Sequence, residues 1–102
     1  MKKFTRSLER HKNLVFATTT EHGVGALHFR HKLPFYKIKQ VADGLGLEIN
    51  IEFKRHHHLQ FRTREGDLVG TLVNLNLLLM PKYEKTKAFS VELASELLKV
   101  VP

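Results

Sequence analysis

Residues 68–89, LVGTLVNLNLLLMPKYEKTKAF, decide how this chain is read. Apolar side chains fill most positions as far as Met80, Pro81 stops the run, and Lys82, Lys85 and Lys87 follow. Taken as a helix, the run is a buried scaffold with Asp67 as its N-cap and cations presented at its end. Asn74, Asn76 and Pro81 keep it short of the roughly 18 to 20 apolar residues of a membrane span, so no membrane partner is expected. Beyond it, residues 85–100 place Phe89, Leu93, Leu97 and Val100 on one helical stripe.

Upstream the period changes to two. Leu47, Ile49, Ile51 and Phe53 alternate with Glu48, Asn50, Glu52 and Lys54, and Leu59, Phe61 and Thr63 alternate with His58, Gln60, Arg62 and Arg64. Each pattern predicts a strand with one buried face. Residues 14–20 and 25–31 read as an earlier hairpin turning at Glu21-His22-Gly23. Between the two strand pairs, Pro34 suits the first turn of a helix whose Phe35, Ile38, Val41, Ala42 and Leu45 recur at threes and fours. Gly44 and Gly46 end it. Residues 1–12 are polar, with weak helical character and an expected flexibility.

The expectation is a single domain over residues 1–102 with ββαββαα order. This is an α+β fold, an antiparallel four-stranded sheet with helices packed on one face. The other face is left for a partner. Seventeen Lys and Arg against ten Asp and Glu give a formal net charge of +7, which attracts polyanions by steering and counterion release. Cysteine is absent, so there is neither a disulfide framework nor a thiolate zinc site. The start, MKKFTRSLERHK, lacks the apolar core of a secretory signal, and an intracellular location is expected.

The outward phase of the strands, with the loop after the second, carries His28, Arg30, Lys32, Lys54, His58, Gln60, Arg62 and Arg64. Such cations and amides reach phosphates and base edges. His56, His57 and His58 are consecutive in a hairpin turn and point in different directions, so they do not make a metal site.

From about Leu27 onward these pieces resemble the LAGLIDADG homing endonuclease and intron maturase family. LHFRHK matches its second strand, FYKIKQVADGLG its middle helix, and IEFKR with HLQFRTR its second hairpin. DLVGTLVNLNLLLMPKYEKTKAF matches its leucine- and asparagine-rich helix with a lysine turn. Ala42-Asp43-Gly44 spells the last three letters of the namesake motif, but Lys37, Lys39 and Gln40 stand where its apolar residues belong, so the resemblance is to a half-domain without a recognisable motif helix. It implies a homing-endonuclease-like half-domain that binds double-stranded DNA and is completed by a homodimer or a second half-domain. If active, it implies Mg2+-dependent phosphodiester cleavage, with Lys85 as the basic residue at the scissile phosphate and Lys87 beside it on DNA. An organelle-encoded member would work in mitochondria or plastids.

A second segment, HLQFRTREGDLVGTLV, looks like the histidine strand of HicA-type messenger-RNA-cleaving toxins. That likeness implies His58 as general acid or base. A non-catalytic RNA- or DNA-binding module is the third reading.

Overall fold

The computed structural model describes residues 12–20, 23–52, 58–81 and 83–102. Strands β1 (Leu14–Thr20) and β2 (Gly23–Phe29) form an antiparallel hairpin that pairs Ala17 with Leu27. Helix α1 (Phe35–Leu45) follows, then β3 (Glu48–Glu52), β4 (His58–Arg62), β5 (Leu68–Val73) and β6 (Leu77–Leu79). A 3₁₀ turn at Glu84–Thr86 leads into helix α2 (Lys87–Val100).

The strands form one antiparallel sheet in the order β1-β2-β6-β5-β4-β3. β2 and β3 stand at its second and sixth positions, so the connection through α1 crosses four strand spacings, roughly 19 Å. The eleven residues of α1 cover roughly 16 Å of that, and short loops supply the rest. The helix stops where it does because Gly46 adopts φ 72°. The Gly46 N–H donates to Asp43 O at 3.2 Å and the Leu47 N–H to Ala42 O at 2.9 Å. These two bonds are the Schellman arrangement, which satisfies the last carbonyls of the helix.

One row of apolar side chains runs through the pairings of all six strands: Ala17, Leu27, Leu78, Leu72, Leu59 and Ile51. Ile38 and Ala42 of α1 and Leu93, Ala94, Leu97 and Leu98 of α2 join that side in a single core. Gly70 lets α2 approach, since a Cβ there would lie 3.3 Å from both Leu78 Cδ1 and Leu93 Cδ2. At the same place β5 bulges. Phe61 pairs with Gly70 and Arg62 with Leu68, leaving Val69 as the extra residue. The Ser90 hydroxyl of α2 donates to the Val69 carbonyl at 2.7 Å, so the disrupted ladder leaves no unpaired acceptor there. The far end of α2 is tied by Asn13 Nδ2 to Leu98 O at 3.0 Å and by Lys37 Nζ to Val100 O at 3.3 Å. Both donors meet carbonyls that the helix cannot satisfy itself.

The expected α+β class and antiparallel sheet stand, but two expectations need correction. The sheet has six strands among the described residues rather than four, and the order is ββαββββα rather than ββαββαα. Both follow from residues 68–80, which form the β5–β6 hairpin instead of a helix. Asn74 and Leu75 take φ values of 52° and 63°, and the Asn76 N–H donates to Val73 O at 3.2 Å, the φ signature of a type I′ hairpin turn. Asp67 is correspondingly no helix cap. Its backbone N–H meets Thr63 Oγ1 at 3.1 Å, and its carbonyl accepts from the Thr63 N–H. The hairpin matters to the whole sheet because β6 pairs with β2, joining the first hairpin to the β3–β6 meander.

Candidate nucleic-acid interface

Both helices cover one face of the sheet, and among the described residues no helix covers the other. The uncovered face is set by the strand registers. One row runs Thr18, Ala26, Leu79, Thr71, Gln60 and Asn50, and the next includes His28, Leu77, Val73 and His58. His28, His58, Gln60 and Arg62 therefore share the face, in the phase that the alternation assigned. Phe29 and Phe61, expected on the inward phase, are fully buried.

The registers also separate these side chains. His28 and His58 lie in the same row but three strands apart, roughly 14 Å. Arg30 follows β2 by one residue and Arg62 closes β4, and the two strands run in opposite directions. Three rows, roughly 20 Å along the strands, then separate them, which with the lateral offset gives a diagonal of roughly 25 Å. Two groups of cations thus lie at opposite corners. Arg30 and Lys32 are exposed beyond the end of β2, and the Arg30 Nε–H donates to Lys12 O at 2.9 Å. Arg62 lies at the other corner with the exposed Arg64 in the turn after it. Lys54 falls outside the described residues.

Arg62 is held in place. Its Nη1 donates to Gly66 O at 2.9 Å and its Nη2 to Gln60 Oε1 at 3.1 Å. A guanidinium carries five N–H bonds, so donors remain for an anion, and the Gln60 amide keeps its own donors for a base edge. The exposed Glu48 lies directly across from Arg62 on the edge strand β3, which tempers the positive charge there. Leu77, Val73 and Leu79 make the middle of the face apolar, with Leu79 40% exposed. Alternation could not foresee this, because those positions belonged to the segment expected to be helical.

Beyond the Arg62 end, the β4–β5 turn and the 3₁₀ turn enclose a cleft of about 550 Å³ lined by Arg62, Asp67, Leu68, Tyr83, Lys85 and Thr86, among others. Lys85 Nζ lies 2.9 Å from Asp67 Oδ2. That hydrogen bond, and then the charge of Asp67, raise the pKa of Lys85 above its ordinary 10.5, so it stands in the cleft as a cation and not as a base. Lys87 faces Glu84 at 3.8 Å at the start of α2, in the helical layer and not on the sheet face. Thr86 is buried, and its Oγ1 has no hydrogen-bond partner among the described residues. The sequence offered little sign of this cleft. It depends on Asp67 lying in a turn instead of capping a helix, and on Tyr83 being carried back to the sheet by the segment after Pro81.

Compared with protein-family models, curated proteins and solved structures, the chain matches none. Among the described residues, no three His, Asp or Glu side chains gather where they could hold a metal ion. The Mg2+ that the family resemblance implies therefore has no fitting ligand set there. No described helix is long and apolar enough to cross a membrane.

Proposed function

We propose that this domain binds double-stranded DNA through the face of its sheet opposite the two described helices. Arg30 and Lys32 anchor the phosphates at one corner, and Arg62 and Arg64 anchor them at the other. The observation that carries this reading is the shared phase of His28, His58, Gln60 and Arg62 on a face that no helix among the described residues covers, in a chain of net charge +7. The edge hairpin β3–β4 is the ribbon that enters the major groove, which in B-form DNA is about 12 Å wide and admits two strands. Gln60, Asn50 and Arg62 then face base edges and phosphate. A-form RNA presents a deep, narrow major groove that such a ribbon cannot enter.

The resemblance to LAGLIDADG half-domains supports the choice of duplex DNA, although the helix that it placed over residues 68–80 is a hairpin here. The function proposed is binding, with no cleavage step assigned to the described residues. Fluorescence anisotropy on a random duplex across a salt series tests it. Each phosphate neutralised contributes about 0.9 to the slope of log affinity against log salt. The double substitution Arg62→Gln with Arg64→Gln is expected to flatten that slope by about 1.8. A slope left unchanged by the pair rejects these contacts.

A further inference from the structure

From the cleft beside Arg62, and resting on the duplex-binding reading above, we infer that the protein holds one unpaired nucleotide of a DNA end, with its base against Tyr83 and its phosphate toward Arg62 and Arg64. The cleft is a different surface from the sheet face but is continuous with it, since Arg62 belongs to both. Its volume of about 550 Å³ lies within the range of roughly 300 to 1,000 Å³ of small-molecule sites. A strand leaving the duplex at the Arg62 corner passes directly over it.

The chemistry of the lining favours a base over a bare anion. Arg62 and Lys85 supply two cations and Asp67 and Glu84 two carboxylates, so the lining itself balances at zero and has no strong pull on free phosphate. A nucleobase, by contrast, offers donors and acceptors together. Asp67, 32% exposed behind its bond to Lys85, can accept from an amino or imino group, and Lys85 can donate to a ring nitrogen or carbonyl. Tyr83, 57% exposed, supplies the aromatic surface on which any base can stack.

The test compares affinities of the full chain for three fluorescent probes: a blunt duplex, the same duplex with a short single-stranded overhang, and a short single strand alone. The expected result is tighter binding of the overhang duplex. Tyr83→Ala is expected to cut that advantage about fivefold to 150-fold, the range of one lost base stack, while Tyr83→Phe keeps it and both variants bind blunt duplex as before. Equal affinity for blunt and overhang duplexes overturns the cleft and leaves the sheet reading standing. So does an overhang advantage that survives Tyr83→Ala. Binding of the single strand alone, dependent on Tyr83, with neither duplex bound more tightly than it, overturns the sheet reading and keeps the cleft. Binding of none of the probes overturns both.

Discussion

Gly46 and Gly44 sit two residues apart at the end of α1 and make opposite demands. Gly46 holds φ 72°, where a side chain is strained, and has no heavy atom within 4 Å of an added Cβ. Its requirement is thus purely conformational. Gly44 lies in the last turn of the helix with the same open space and an ordinary backbone. Gly46→Ala is expected to destabilise the fold by about 1 kcal/mol, and Gly44→Ala to stabilise it by about 0.5 kcal/mol through a less flexible unfolded chain. Urea unfolding at neutral pH reads both, and shifts of the same sign would refute the assigned cap. This end was legible in the sequence, because a glycine just past a periodic apolar stripe has few other uses. Leu75 is the converse case. A branched, partly buried leucine at φ 63° gives no sign in a sequence that it occupies a position favouring Gly or Asn. It is held there in part by its carbonyl, which accepts from the Leu33 N–H at 2.9 Å.

Among the elements, the β5–β6 hairpin is where the pattern misleads, and the reason is physical. A strand declares itself by alternation only when one of its faces is wet. Here Leu72 and Leu78 point to the core while Val73, Leu77 and Leu79 point to the other face, so both phases are apolar. The bulge at Val69 puts two buried residues in succession, which breaks the period again. The signs that favour strands were subtler: β-branched Val69, Thr71 and Val73, and asparagines at a left-handed turn. The β3–β4 hairpin, by contrast, keeps one polar phase and shows its alternation, and the β1–β2 hairpin shows itself by its β-branched and aromatic residues and the Glu21-His22-Gly23 segment between them. Gly70 gives this element its test. An added Cβ would crowd the tips of Leu78 and Leu93 at 3.3 Å and the Leu79 carbonyl at 3.4 Å. Gly70→Val forces α2 away from the sheet and is expected to cost about 1 to 3 kcal/mol as overpacking. Adding Leu93→Ala supplies room, so the double variant should be less destabilised than the sum of the two single variants. Strict additivity would mean that α2 does not meet the hairpin at Gly70.

At the scale of the whole molecule, the site that composition suggested only as a general preference for polyanions becomes a matter of distance. Strand phase assigns Arg30 and Arg62 to one face, but it cannot tell how far apart they are. That depends on β6 pairing with β2, a contact between residues about fifty apart in the chain, and on a hairpin hidden in an apolar run. With the sheet assembled, the two corners lie roughly 25 Å apart, a span of about seven base pairs at 3.4 Å per step. A duplex shorter than that can engage one corner at a time, whereas a longer one engages both. The salt slope of binding is therefore expected to step upward by at least about 0.9 as hairpin-capped duplexes lengthen from about five to about ten base pairs, and to stay level toward about twenty. Arg30→Gln should reduce the step on long duplexes while leaving a short duplex bound at the Arg62 corner unchanged. A slope that grows in proportion to length would point to diffuse attraction by the net charge. A slope already at its full value on the shortest duplex would mean that phosphates meet a single patch of cations, and the diagonal docking would have to be abandoned.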